Sequence, residues 1–180
     1  STTGMESKDN DKVKKYTQSG LELLDKSILE RDNFADAYVL RMSLNYNRFQ
    51  YEMDKMQSII ADVSAAEETA KKLDPTNPRF YLVQGIATFY TPAAFGGGVD
   101  KAQPMLEKSV ELFSLIKNSD ETLPDWGNSA ALGYLALCQL DGDKLTEAKA
   151  NMDKGLALDP DSKFLTGYVI EYALSVDNIF

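Results

Sequence analysis

The sequence predicts an all-α protein built as an array of antiparallel helix pairs. Leu, Ala, Lys, Glu, Asp and Met recur at three- and four-residue spacing, which is the periodicity of amphipathic helices. Runs of Val, Ile and Thr with the two-residue period of strands do not occur. Prolines mark the boundaries between segments, because proline disrupts a helix interior. The predicted helices span residues 11–31, 34–50, 53–73, 78–90, 100–117, 125–140, 144–158 and 162–176.

The composition limits the domain count and the available chemistry. The 180 residues, 43% of them hydrophobic and 26% charged, predict one folded domain or a short repeat array. A net charge of −9 repels the phosphates of nucleic acids and anionic membranes. The chain has no histidine, which removes imidazole acid–base catalysis, Ser-His and Cys-His nucleophile pairs and the usual nitrogen ligand of metals. We therefore expect a protein that is not an enzyme and needs no cofactor or metal.

The second helix of each pair repeats one pattern of a small residue, a large apolar residue and another small residue. It occurs as Gly20, Leu24 and Ser27, as Ala102, Leu106 and Ser109, and as Ala148, Met152 and Gly155. Small residues on one stripe let a neighbouring helix approach closely, while the large residue fills the space beside them. In the first helices, Gly85 and Gly133 occupy matching positions. Glycine in a helix costs about 1 kcal/mol relative to alanine, so we expect close contacts at both glycines.

Two helix pairs also end in the same motif, as Leu73-Asp74-Pro75 and as Leu158-Asp159-Pro160. With this Leu-Asp-Pro motif and the repeated stripes, the sequence resembles the tetratricopeptide repeat family over most of residues 16–165. The resemblance implies a right-handed superhelix of about three repeats plus a terminal helix. The turns within the pairs are longer than the family's, and in this they are similar to divergent tetratricopeptide proteins exported by bacteria, including subunits associated with periplasmic solute transporters.

In such arrays the first helices line a concave groove, where partners bind. The groove that the resemblance implies is apolar and aromatic with few charges, which suits a peptide's apolar side chains or a hydrophobic small molecule. The predicted binding residues are Tyr46, Asn47, Arg79, Leu82, Ile86, Phe89, Tyr90, Phe95, Trp126 and Tyr134. The primary prediction is a scaffold module that binds a peptide or protein segment. The alternative is a periplasmic small-ligand-binding protein associated with a solute transporter. An enclosed pocket or tunnel lined by Tyr46, Phe89, Tyr90 and Tyr134 favours this alternative, whereas an open, shallow groove favours peptide or protein binding.

Several of these side chains also have a purely structural interpretation. Tyr46, Phe89 and Tyr134 fit equally well as packing residues against the next helix, and Trp126 fits as a packing anchor between helix pairs or as a ligand platform. Phe95 precedes a run of three glycines. That run lacks the Lys-Ser or Lys-Thr of a phosphate loop, so we expect a flexible turn, with Phe95 able to act as the tip of a lid.

The remaining motifs indicate ordinary structure. Asp141, Asp143, Asp159 and Asp161 occur where turns and helix caps favour aspartate, and the further oxygen ligands of a calcium loop do not follow. The single Cys138 lies in an apolar run and is expected to be a buried, inert thiol.

The beginning of the sequence bears on the cellular location of the protein. Residues 1–10 are polar and predict a flexible segment ahead of a single domain at 11–180. The start lacks an initiator Met, which favours a processed, exported or periplasmic protein, lipid-anchored if a lipobox precedes residue 1; a cytoplasmic protein is the alternative. No run of about 18 apolar residues is present, so no membrane span is expected.

Overall fold

The computed structural model describes residues 9–116 and 124–177, and within these ranges all regular structure is helical. The predicted all-α class is therefore confirmed. The helices are α1 (Asn10–Glu30), α2 (Ala35–Asn47), α3 (Met56–Leu73), α4 (Pro78–Tyr90), α5 (Val99–Leu115), α6 (Asn128–Asp141), α7 (Leu145–Leu158) and α8 (Ile170–Asp177). Short 3₁₀ turns lie at Arg48–Gln50, Met53–Lys55 and Ala93–Phe95. Most of the predicted segment 1–10 lies outside the described residues, although Asp9 accepts a side-chain hydrogen bond from the Lys12 amide and so caps α1.

The chain divides into two compact units, one up to Val83 and the other from Gln84 onward. In the first unit, α2 packs against both α1 and α3. Its core contains the buried side chains of Val39 and Met42 from α2 and Ile59 from α3. At the contact between α1 and α2, Gly20 faces Leu44, and a Cβ at Gly20 would lie 2.7 Å from Leu44 Cδ1.

A polar group of three side chains is buried in the first unit. Asp36 Oδ2 accepts a hydrogen bond of 3.2 Å from Asn77 Nδ2, and Asp36 Oδ1 lies 3.5 Å from Arg79 Nε. Asn77 Oδ1 in turn accepts a hydrogen bond of 2.9 Å from the Arg79 amide at the start of α4. Burial raises the pKa of the Asp36 carboxyl above its ordinary value, although the Arg79 charge and the Asn77 hydrogen bond oppose the shift. This group ties the beginning of α2 to the beginning of α4.

In the second unit, α6 is the central helix. Every residue from Ala131 to Leu140 is buried, because α5 and α7 both pack against it, as does the helical segment Phe164–Val169 that leads into α8. That segment is a π-helix, in which the Ile170 amide donates to the carbonyl of Leu165, five residues back. The sequence predicted a helix over 162–176, and this range is helical, with π geometry in its first part.

The close contacts expected at the helical glycines are confirmed. A Cβ at Gly85 would lie 2.8 Å from Cγ and Cδ2 of Leu106, which is the large residue of one predicted stripe. A Cβ at Gly133 would lie 2.6 Å from Phe164 Cε1 and 2.7 Å from Leu165 Cδ2. All of these distances are shorter than the contacts that real Cβ atoms make, so each glycine is the residue that admits the neighbouring helix. The superhelical arrangement and the repeat number implied by the family resemblance stay predictions.

Candidate functional site

Four of the predicted binding residues belong to the first unit, and three of them are buried there. Asn47, Arg79 and Leu82 lie in its interior, with Arg79 next to Asp36. Tyr46 is half-buried, and burial, with a smaller contribution from the negative charge of Glu67, raises the pKa of its phenol to about 12. The Tyr46 hydroxyl is therefore protonated at neutral pH. These four side chains contribute to the packing of their own unit, and a role in binding stays a prediction.

The other six predicted residues belong to the second unit, and the structure brings three of them together. Phe89 and Tyr90 at the end of α4 contact Tyr134 of α6. Ile86 is half-buried one turn earlier on α4, and Trp126 is half-buried two residues before α6 begins. Phe95 lies on the loop after α4, with its ring exposed to solvent. Phe89, Tyr90 and Tyr134 are therefore the predicted residues that the structure brings into one group.

Two further rings complete this group, which we call the aromatic cluster: Phe89, Tyr90, Tyr134, Phe164 and Tyr168. Tyr134 stacks on Phe164 with ring centroids 4.6 Å apart and an angle of 28° between the planes. Phe164 stacks on Tyr168 at 6.0 Å and 19°. The three rings are thus nearly parallel, in the offset geometry that aromatic pairs prefer.

The two rings from α4 meet this stack edge-on. Phe89 and Tyr90 lie 6.0 Å and 6.2 Å from the Tyr134 ring, at angles of 71° and 82°. Their own rings are 5.2 Å apart and also perpendicular, at 86°. The cluster therefore offers both ring faces and ring edges, and its members come from α4, α6 and the π-helical segment.

The cluster is buried at its centre and open at both ends. Tyr134 is 2% exposed and Phe164 is also buried, whereas Tyr90 is 43% exposed and Tyr168 is 42% exposed. Buried rings fixed by packing thus support two accessible rings. Such an arrangement suits recognition of a flat apolar group, because the accessible rings lose little conformational freedom when a ligand binds.

No charged residue lies in the sequence segments that supply the cluster. Residues 80–99, 126–140 and 164–170 contain no Asp, Glu, Lys or Arg, although the whole chain carries 47 of them as 19 basic and 28 acidic residues. The segments that supply the rings are therefore themselves uncharged, which favours an apolar ligand at this site.

Two hydroxyl groups give the cluster its polar contact. The hydroxyl oxygens of Tyr90 and Tyr134 are 3.4 Å apart, and either can be the donor. This is a long hydrogen bond, close to the limit at which such contacts stabilise a structure. It orients the exposed Tyr90 phenol against a buried partner.

The described residues offer few ligands for a metal. In residues 9–116 and 124–177, no group of three or more Cys, Asp and Glu side chains is placed to hold a metal ion. The Cys138 thiol is buried, and burial, followed by the negative charges of Asp141 and Glu107, raises its pKa to about 12. A protonated thiol is a poor metal ligand.

The three glycine amides of the loop after α4 are all hydrogen-bonded, and the flexibility that the sequence predicts for this turn stays a prediction. The amides of Gly96, Gly97 and Gly98 donate to the carbonyls of Ala93, Pro92 and Thr88 at 3.0, 3.3 and 3.0 Å. The next helix, α5, has Gly98 at its N-cap position.

Phe164 and Tyr168 were missed by the sequence-based prediction, which assigned the groove only to the first helices of the pairs. The sequence does contain a signal for them, since they form an aromatic pair four residues apart in the last predicted helix, and such a pair lies on one helix face. Gly133 was recognised as a contact position, but the sequence does not reveal that its neighbour is the Phe164 ring.

The described chain is an all-helical protein with a partly exposed, uncharged aromatic cluster. No protein-family model and no curated protein matches it. Among solved structures, the HusA haemophore from Porphyromonas gingivalis is similar to this chain, with 29% sequence identity and a TM-score of 0.64. The match covers 74% of this chain and 67% of that chain. In the described residues, no helix is both long enough and apolar enough to cross a membrane.

Proposed function

We propose that this chain binds a flat, largely apolar small molecule of the porphyrin class, such as haem, against the aromatic cluster. The observation that carries the proposal is the pair of exposed rings, Tyr90 and Tyr168, supported by the buried Tyr134 and Phe164. The name of the similar structure, a haemophore, supports the same class of ligand. The proposal develops the small-ligand alternative that the sequence raised.

The main attraction in this proposal is ring stacking with burial of apolar surface. An aromatic pair contributes about 0.5–1.5 kcal/mol beyond the area that it buries. The segments that supply the cluster carry no charged side chain of their own, which favours an apolar ligand there. A porphyrin is large enough to contact more than one ring at once, so these contributions add up.

In this proposal, coordination of the haem iron contributes less to binding than ring stacking does. The chain lacks histidine, and Cys138 is buried with its pKa raised to about 12. The phenols of Tyr90 and Tyr168 are the accessible donors in the cluster, and tyrosine does serve as a haem ligand in some proteins. If stacking dominates, metal-free protoporphyrin binds within about tenfold of haemin, which corresponds to about 1.4 kcal/mol.

The test is a titration of the purified chain with haemin and with metal-free protoporphyrin, followed by porphyrin absorbance. Tyr90→Ala and Tyr168→Ala are each expected to weaken binding by about tenfold, because each removes one stacked ring. Tyr16→Ala is the matched control, since Tyr16 is an exposed tyrosine on α1 in the first unit. The proposal is wrong if wild-type protein binds neither porphyrin, or if all three variants bind equally well.

Binding of a peptide or protein segment, the primary prediction from the sequence, is the competing proposal. It is favoured if neither porphyrin binds while an apolar, aromatic peptide quenches the fluorescence of Trp126. Export of the protein belongs to the proposal as well, and fractionation of cells that produce the full-length gene product tests it.

A further inference from the structure

A short exposed loop follows the aromatic cluster, and we call residues Thr91–Gly98 the Phe95 tip. Pro92, Ala93, Ala94 and Phe95 are consecutive, apolar and exposed, and the Phe95 side chain is 82% exposed. The tip begins directly after Tyr90, the exposed ring of the cluster.

The charge pattern distinguishes Phe95 from the other exposed apolar side chains. Among the described residues, the large hydrophobic side chains that are at least 60% exposed are Tyr16, Leu23, Leu29, Met53, Phe95 and Leu115. Each of these except Phe95 has a charged residue within two positions in the sequence, whereas Phe95 has none within four. A charged neighbour keeps an exposed apolar side chain in water, and Phe95 lacks one.

The tip is also held in a fixed shape. Its four amides from Phe95 to Gly98 all donate to backbone carbonyls, at 2.9 to 3.3 Å. A Cβ at Gly97 would lie 2.1 Å from the Thr91 carbonyl oxygen, so only glycine fits this position. Gly96 and Gly98 have φ values of 88° and 104°, which also favour glycine. The loop therefore presents Phe95 to solvent in this structure, and its action as the tip of a lid stays a prediction.

We propose that the Phe95 tip inserts into the interface of an uncharged, zwitterionic lipid bilayer and so places the aromatic cluster at the membrane surface. Aromatic side chains favour the headgroup region of bilayers, and a short apolar segment can lie at the boundary between headgroups and acyl chains. The role of this contact, transfer of an apolar ligand between the bilayer and the cluster, rests on the proposed function. The docking itself does not.

The charges indicate which surface the tip fits. The net charge of −9 repels anionic lipids, so a zwitterionic surface is the one that the whole chain can approach. The tip carries no Lys or Arg that would contact phosphate groups. Four adjacent apolar residues, rather than one projecting ring, suit an extended lipid surface better than a protein pocket of single-ring size.

The first test uses ligand-free protein and vesicles of phosphatidylcholine. In a Trp126→Phe background, Phe95→Trp is expected to shift its emission to shorter wavelength and to be quenched by brominated phosphatidylcholine. Leu29→Trp is the matched control, because Leu29 is 86% exposed but is followed by Glu30 and Arg31. The inference is overturned if neither tryptophan responds, if both respond equally, or if the response requires anionic lipid.

A second measurement avoids the tryptophan substitutions. Wild-type protein is expected to float with phosphatidylcholine vesicles, and Phe95→Ser is expected to reduce the bound fraction by about tenfold at limiting lipid. Phe95→Ser is also expected to slow haemin transfer from vesicles to the protein. Equal flotation of the two proteins would overturn the inference, because Phe95 would then not be the residue that contacts lipid. A protein partner for the Phe95 tip would then be the better explanation of its exposure. Loss of haemin binding by the wild type would overturn the proposed function alone, because flotation is measured without ligand.

Discussion

The backbone of Gly133 lies directly against the ring of Phe164. A Cβ at Gly133 would lie only 2.6 Å from Phe164 Cε1, and the same ring stacks on Tyr134, the next residue of α6. One glycine therefore sets how closely the π-helical segment approaches α6, and with it the position of the stacked rings.

Gly133→Ala is expected to lower the free energy of unfolding by about 1–3 kcal/mol, because the added methyl group forces Phe164 and Leu165 to move. It should also weaken porphyrin binding. Urea unfolding and a porphyrin titration measure the two effects.

Gly167→Ala is the control for this substitution. Gly167 lies in the same π-helical segment, but a Cβ there would meet nothing within 4 Å. We expect no loss of stability and a gain of up to about 1 kcal/mol from helix propensity. Similar losses for the two variants would show that the contact with Phe164 is not what requires glycine at position 133.

The fold was largely predictable from the sequence, whereas the site was only partly so. Three- and four-residue spacing and the prolines located all eight predicted segments, and α4 was predicted from Pro78 to Tyr90 as observed. Local patterns suffice for this because helices are local structures. The contacts between helix faces depend on residues far apart in the sequence. Phe89, Tyr90 and Tyr134 were therefore identified, whereas Phe164 and Tyr168 were missed.

The carboxyl group of Asp36 is expected to make the stability of the protein depend on pH. Its pKa is raised by burial above the ordinary value of 3.8, so the folded state favours the protonated form more than the unfolded state does. The stability that this group contributes is therefore greatest below pH 3.8 and is lost as the pH rises through the raised pKa.

The measurement is urea unfolding of wild type and Asp36→Asn between about pH 3 and about pH 7. As the pH rises, the unfolding free energy of the wild type should fall relative to that of Asp36→Asn. A difference that grows in favour of the wild type would show that attraction by Arg79 outweighs the cost of burying the carboxylate.

Cys138 is expected to react slowly with thiol reagents in the folded protein. With a pKa raised to about 12 and no exposed surface, almost none of its thiol is ionised or accessible at neutral pH. Labelling by an aromatic disulfide reagent should become fast in urea, at the concentration where the helical signal is lost. Fast labelling of the native protein would contradict the buried position.

Gly97→Ala is expected to disrupt the Phe95 tip and to destabilise the protein by about 1–3 kcal/mol, because the contact is with the backbone of Thr91 and no side-chain rotation relieves it. Gly96→Ala is the comparison, since Gly96 has a positive φ but open space around it, and it should cost only about 1 kcal/mol. Hydrogen exchange of the Gly98 amide, bonded to the Thr88 carbonyl, reports the loop directly. Rapid exchange in the wild type would contradict a fixed tip.

The π-helical segment Phe164–Val169 also has a consequence for sequence comparison. A π turn accommodates about one residue more than an α turn, so the segment is equivalent to a one-residue insertion into a regular helix. In a regular α-helix one extra residue would rotate everything after it by about 100°, since each α-helical residue advances the chain by that angle, and the wider π turn accommodates the residue without this rotation. An alignment with chains that lack the π turn therefore needs a one-residue gap at this point, and without it Tyr168 would be compared with a residue on another face of the helix.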